Sequence, residues 1–71
     1  MNTTQLLQEI KDFNSLSDGI FNLENETKDI NIWFSRVSSK WILELDGKVI
    51  KDAKHLIVLV NKLQDMNLIG A

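Results

Sequence analysis

The chain is expected to adopt an α+β fold: an antiparallel β-meander of three to four strands flanked by an N-terminal and a C-terminal helix, in the order α-β-β-β-(β)-α. Three observations carry this. Apolar residues recur at helical spacing in the first 14 residues and again after residue 52. Between residues 20 and 51 they alternate, as they do in strands. Asp46-Gly47 interrupts the alternating stretch with strong hairpin chemistry, because both central positions of a type I′ turn need positive φ. The 71 residues allow one domain, spanning 1–71.

The first element is an amphipathic helix over about residues 3–14. Leu6, Ile10 and Phe13 follow i, i+4, i+7, and Leu7 widens the stripe. Asn2, with Gln5 three residues later, fits a capping box, although Thr3 or Thr4 offers an alternative cap. The small polar cluster at 14–19, ending in Gly19, stops the helix.

The meander rests on pairing arithmetic, and its middle strands, 30–37 and 40–46, are its firmest part. A two-residue turn at Ser38-Ser39 sets Arg36 opposite Trp41, Phe34 opposite Leu43 and Ile32 opposite Leu45. A turn at Asp46-Gly47 sets Leu43 opposite Ile50 and Glu44 opposite Val49. A turn at Glu26-Thr27 pairs Phe21 with Ile32 and Leu23 with Ile30, although its chemistry is weak and the 24–29 loop can be longer. All three turns gather Phe21, Leu23, Ile30, Ile32, Phe34, Trp41, Leu43, Leu45 and Ile50 on one face. A one-residue slip would scatter them.

The other face carries a thinner apolar set, Trp33, Val37, Ile42 and Val49, mixed with Asn31, Ser35, Glu44 and Lys51. A sheet that is apolar on both sides has two solutions in so short a chain. One helix can cover each face, which leaves nothing to explain. Alternatively both helices lie on the Phe34/Leu43 face, and the Trp33/Ile42/Val49 face is left to water or to a partner.

The last element runs from Asp52, a good N-cap, to about Asn67. Ala53, Leu56, Val60 and Leu63 mark its apolar face, with Ile57 and Leu59 widening it. Residues 56–60 are five consecutive aliphatics and also fit a buried strand, but the polar flanks Lys54, Asn61, Lys62, Gln64 and Asp65 continue a helical pattern. Ile69-Gly70-Ala71 is expected to fray.

Composition narrows the chemistry. Hydrophobic content of 44% and charged content of 25% are those of a folded domain. A chain of this size buries only about 60% of its unfolded surface and often needs a staple. The sequence has no cysteine and a single histidine, which disfavours disulfides and thiolate or histidine metal sites and leaves association as the remaining staple. The net charge of −2 divides into −4 over residues 1–35 and +2 over residues 36–71, a mild dipole able to orient a partner. The start lacks the basic and apolar regions of a signal peptide, and the longest apolar run, 56–60, is far below the ~20 residues that span a bilayer. The cytoplasm is the expected location, with no membrane contact.

Candidate catalytic groups are sparse. His55 and Asp52 are three apart and would meet on the first turn of the last helix, but Ser38 and Ser39 lie at the far end of a strand. Glu24, Glu26 and Asp29 share a loop without the spacing or central glycine of a calcium loop, and read as a solvated turn. Arg36 opposite Trp41 reads as a structural cation–π pair. Neither a glycine-rich phosphate loop nor a nucleophile elbow is present, so neither an enzyme nor a cofactor is expected.

The favoured expectation is a small non-enzymatic protein-binding module, a regulator or inhibitor that occupies a surface of a larger protein through Trp33, Ile42, Val49 and Val37. Self-association through the same residues is its nearest variant, and size and composition would suit a phage- or mobile-element-encoded factor. The alternative is a nucleic-acid-binding domain using Lys40, Lys48, Lys51 and Lys54, although a net charge of −2 supplies little for phosphate contacts.

Overall fold

A computed structural model describes residues 2–16, 19–24 and 28–70. The element order is α1 (Thr3–Leu16), β1 (Phe21–Glu24), β2 (Asp29–Ser35), β3 (Lys40–Leu45), β4 (Lys48–Ala53) and α2 (Leu56–Asp65). The four strands form one antiparallel sheet in sequence order, β1-β2-β3-β4, flanked by the two helices. This is the expected α+β meander.

Helix α1 starts with the capping box read from the sequence. The Gln5 amide donates to Asn2 Oδ1 at 2.8 Å, and the Asn2 amide donates to Gln5 Oε1 at 3.2 Å. Two otherwise orphaned N–H groups are thereby satisfied. Leu6 and Ile10 are fully buried, and Phe13 meets Phe21 of β1 edge-to-face, ring centres 5.6 Å apart. That contact fixes the end of α1 over the edge of the sheet.

The β1–β2 register is the one expected, Phe21↔Ile32 and Leu23↔Ile30. The Glu26-Thr27 turn itself lies outside the described residues. Between β2 and β3 the pairing is Phe34↔Trp41, Ile32↔Leu43 and Ile30↔Leu45, two residues away from the expected register. The cause is the turn. A two-residue I′ turn needs positive φ at both serines, which serine resists, and the chain instead uses residues 36–39 with only Ser39 in the left-handed region, at φ 55°. Because the shift is two residues, every side chain keeps its face. Arg36 accordingly sits in the turn rather than opposite Trp41, whose cross-strand neighbour is Phe34, ring centres 5.3 Å apart at 67°.

The Asp46-Gly47 turn has φ values of 52° and 82°, as a type I′ turn requires, and sets Glu44 opposite Val49. The expected Leu43–Ile50 pair is absent. Leu43 pairs with Lys51, so Ile50 is the extra residue of a β-bulge. The bulge turns Lys51 toward α2, where it lines a shallow cleft with Val58, Asn61, Lys62 and Asp65. It also carries β4 on to Ala53, with Asp52 paired to Ile42.

Asp52 therefore belongs to a strand and does not cap the last helix, which begins at Leu56 with His55 at the N-cap and no side-chain hydrogen bond to the helix. Residues 56–60 are helical. Leu56, Leu59, Val60 and Leu63 are buried at i, i+3, i+4, i+7, while Ile57 and Val58 face outward. The helix stops in a Schellman motif. Asn67 takes φ 59°, its amide donates to the Gln64 carbonyl, and the Leu68 amide donates to the Leu63 carbonyl, both at 3.0 Å. Leu68 and Ile69 then fold back against the core, so Ile69 is packed rather than frayed.

The core lies between one sheet face and both helices. Its buried members are Leu6 and Ile10 from α1, Ile30, Ile32, Leu43 and Leu45 from the sheet, and the four α2 residues. Helix α1 packs on α2 and β1, and α2 packs on β3 and β4. Side by side at 8–10 Å, two helices match the roughly 15–19 Å width of four strands.

Candidate protein-binding face

Strand alternation and the placement of the helices together create the site. Ile30 and Ile32 point into the core, so Asp29, Asn31, Trp33 and Ser35 of β2 point the other way. Their cross-strand partners share that face: Asn22 on β1, and Lys40, Ile42 and Glu44 on β3. Val49 pairs with Glu44 and Asp52 with Ile42, which adds two positions from β4. No described element lies over this face.

Trp33 and Ile42 are direct cross-strand neighbours at its centre and are half-buried. Val49 is 53% exposed on the edge strand beside them. Ile20 is 58% exposed and immediately precedes β1, outside the paired residues; the β1–β2 register would have to continue by one residue to set it opposite Trp33. Trp33 and Ile42 thus make an apolar pair across the two central strands, continued on β4 by Asp52, with the exposed Ile20 just before β1 on the other side. Ile20 shares the outward two-residue period of Asn22, a weak signal at the end of a strand. Asp52 was hidden by the bulge, whose only trace in the sequence is the adjacent apolar pair Val49-Ile50. Val37, by contrast, is fully exposed in the 36–39 turn, beyond the sheet.

The polar part of the face is locally organised. The Asn22 side-chain amide donates to Asp29 Oδ1 at 2.8 Å and to Asn31 Oδ1 at 2.9 Å, crossing from β1 to β2. Among the described residues, Asp29, Glu44 and Asp52 bring three carboxylates to the face, against one cation, Lys40.

The lysines of the nucleic-acid alternative do not share this surface. Lys40 is on the helix-free face, Lys51 faces α2, and Lys48 pairs with Leu45 on the core side. Lys54 lines a separate cleft of about 350 Å³ with Leu7, Lys11, Trp41, His55, Leu56 and Ile57. His55 and Asp52 do not meet on a helical turn, since Asp52 is in β4. Among the described residues no group of three or more His, Cys, Asp or Glu is arranged to hold a metal ion, and no helix is long and apolar enough to cross a membrane. Glu26 lies outside the described residues. The chain matches no known protein family, no characterised protein and no solved structure.

Proposed function

We propose that this chain is a small non-enzymatic protein-binding module, a regulator or inhibitor that works by occupying a surface of a larger protein with its helix-free sheet face. The observation that supports the reading is the placement of both helices on one side, which leaves Trp33 and Ile42 paired at the centre of an uncovered sheet. Tryptophan at the centre of a patch is the anchor type that dominates binding energy, and aliphatic neighbours exclude water around it. The sheet edges are poorer docking sites. β1 has four residues, and β4 is broken by a bulge and carries Lys48 and Lys51, features that discourage strand addition. Of the four lysines of the nucleic-acid reading, Lys40 lies on the helix-free face while Lys48, Lys51 and Lys54 lie on the other side, so the four do not act as one group.

Affinity capture from a lysate of the native host tests the proposal. Wild-type protein should retain specific proteins that Trp33→Ala loses, by tenfold or more if Trp33 is a hot spot worth ~2 kcal/mol. Equal capture by the two would remove this face as the binding site.

A further inference from the structure

From the charge around the apolar row, we infer that the occupant of the helix-free face is a basic amphipathic helix of the partner, lying across the strands with its cationic flank toward the Asp46-Gly47 end of the sheet. The inference rests on the docking reading above. It names the chemistry of the partner and the direction in which it lies.

The apolar pair Trp33 and Ile42 runs across the strands rather than along either of them, and the β1–β2 register, continued by one residue beyond Phe21, prolongs that line to the exposed Ile20. A row over three or four strands is roughly 10–19 Å long, the length of about 7–13 helical residues at 1.5 Å each. A helix presents a straight apolar stripe of that length. An extended strand would instead need a free sheet edge. Acids border the row on one side and at one end. Glu44 and Asp29 lie on the side toward the Asp46-Gly47 turn, and Asp52 closes the row on β4. Among the described residues of this face Lys40, paired with Ser35, is the lone cation, and it lies on the opposite side. Asn22, Asn31 and Ser35 are neutral. A cationic flank on the occupant would meet Glu44 and Asp29, and an acid on its other flank would suit Lys40.

The same charges disfavour a face-to-face pair of copies whose two-fold axis crosses the row, which would bring the Glu44 and Asp29 side of each against that of the other. The outward side of α2 is itself apolar at Ile57 and Val58, beside Lys51, Lys54 and Lys62. Head-to-tail stacking of copies is accordingly the competing occupant that the experiment must separate.

Trp41→Phe leaves Trp33 as the lone tryptophan, so its emission reports on this face. Three synthetic helical peptides sharing one leucine stripe, with lysine, glutamine or glutamate flanks, are titrated into the full chain. The lysine peptide should shift the Trp33 emission to the blue and bind about tenfold more tightly than the glutamine peptide at low salt, the glutamate peptide more weakly still. Added salt should narrow the spread, and Glu44→Lys with Asp52→Lys should invert the order. Equal binding of all three would overturn the basic occupant while leaving the docking face intact. No binding by any of them would overturn a helical occupant. Loss of the docking face itself would show separately, as lysate capture indifferent to Trp33→Ala. Concentration-dependent assembly in sedimentation, abolished by both Trp33→Ala and Ile57→Glu, would overturn the inference in favour of another copy of the chain.

Discussion

Asp46 shows how much one turn residue can hold. It adopts φ 52°, its amide donates to the Asp29 carbonyl at 2.9 Å, and its carboxylate accepts from the Asp29 amide at 3.0 Å. Its second carboxylate oxygen meets the Lys28 ammonium at 3.4 Å, an exposed ion pair that contributes little by itself. The turn between β3 and β4 is thereby fastened to the start of β2. The Asp29 amide is the main reason that the Asp46 carboxyl titrates below its ordinary range, with Lys28 adding to the effect and desolvation opposing it. A carboxyl depressed by folding contributes stability that is present in full above the ordinary carboxylate range and is lost as pH falls through its own lowered value. Asp46→Asn should thus be less stable than wild type at neutral pH, with the gap closing in acid. Urea denaturation at a series of pH values checks this, and a gap independent of pH would deny Asp46 the role. At Gly47, φ 82° is the constraint, since a Cβ would meet nothing within 4 Å. Gly47→Ala should cost about 1–2 kcal/mol from backbone strain alone, and Gly47→Asn less, because asparagine tolerates the left-handed region.

At the scale of elements, α2 separates core from surface within one turn. Leu59 is fully buried and Val58 beside it is 37% exposed. Leu59→Ala should cost about 2–5 kcal/mol, a large share of the roughly 4–11 kcal/mol expected for a chain of this length. Val58→Ala should change stability by less than about 0.5 kcal/mol. Equilibrium denaturation distinguishes the two. Much at this scale was legible in the sequence. The α1 capping box, the Asp46-Gly47 turn and the face of every core strand residue through Leu45 follow from side-chain chemistry and the two-residue period. The details that escaped depend on energies the sequence displays poorly. Ser38-Ser39 resists two positive φ values, so the turn widened and the register moved by two. The bulge at Ile50 satisfied the core at the cost of one ladder pair, and it moved Lys51 to the opposite side from the one expected. Asp52 resembles an N-cap, yet pairing with Ile42 kept it in the sheet. Asn67 and Leu68 end α2 by a backbone motif that an Asn-Leu pair announces only weakly.

For the whole molecule, the sequence left open which face each helix covers, because either helix alone presents a stripe that either sheet face could accept. The tertiary arrangement resolves it through burial. The face with Ile30, Ile32, Leu43 and Leu45 offers the larger apolar area, and two adjacent helices span it while burying part of each other. The candidate site was correspondingly half legible: Trp33, Ile42 and Val49 came from alternation, while Ile20 and the acidic border required the actual register. The central claim is that the second apolar set is surface and not core. Its most direct test is the equilibrium stability of the double variant Trp33→Thr/Ile42→Thr, which keeps strand-forming residues at both positions. The expected cost is about 1 kcal/mol, the worth of a lost cross-strand pair. A loss of ~3 kcal/mol or more, comparable with Leu59→Ala, would contradict the claim by showing that this face is needed for folding.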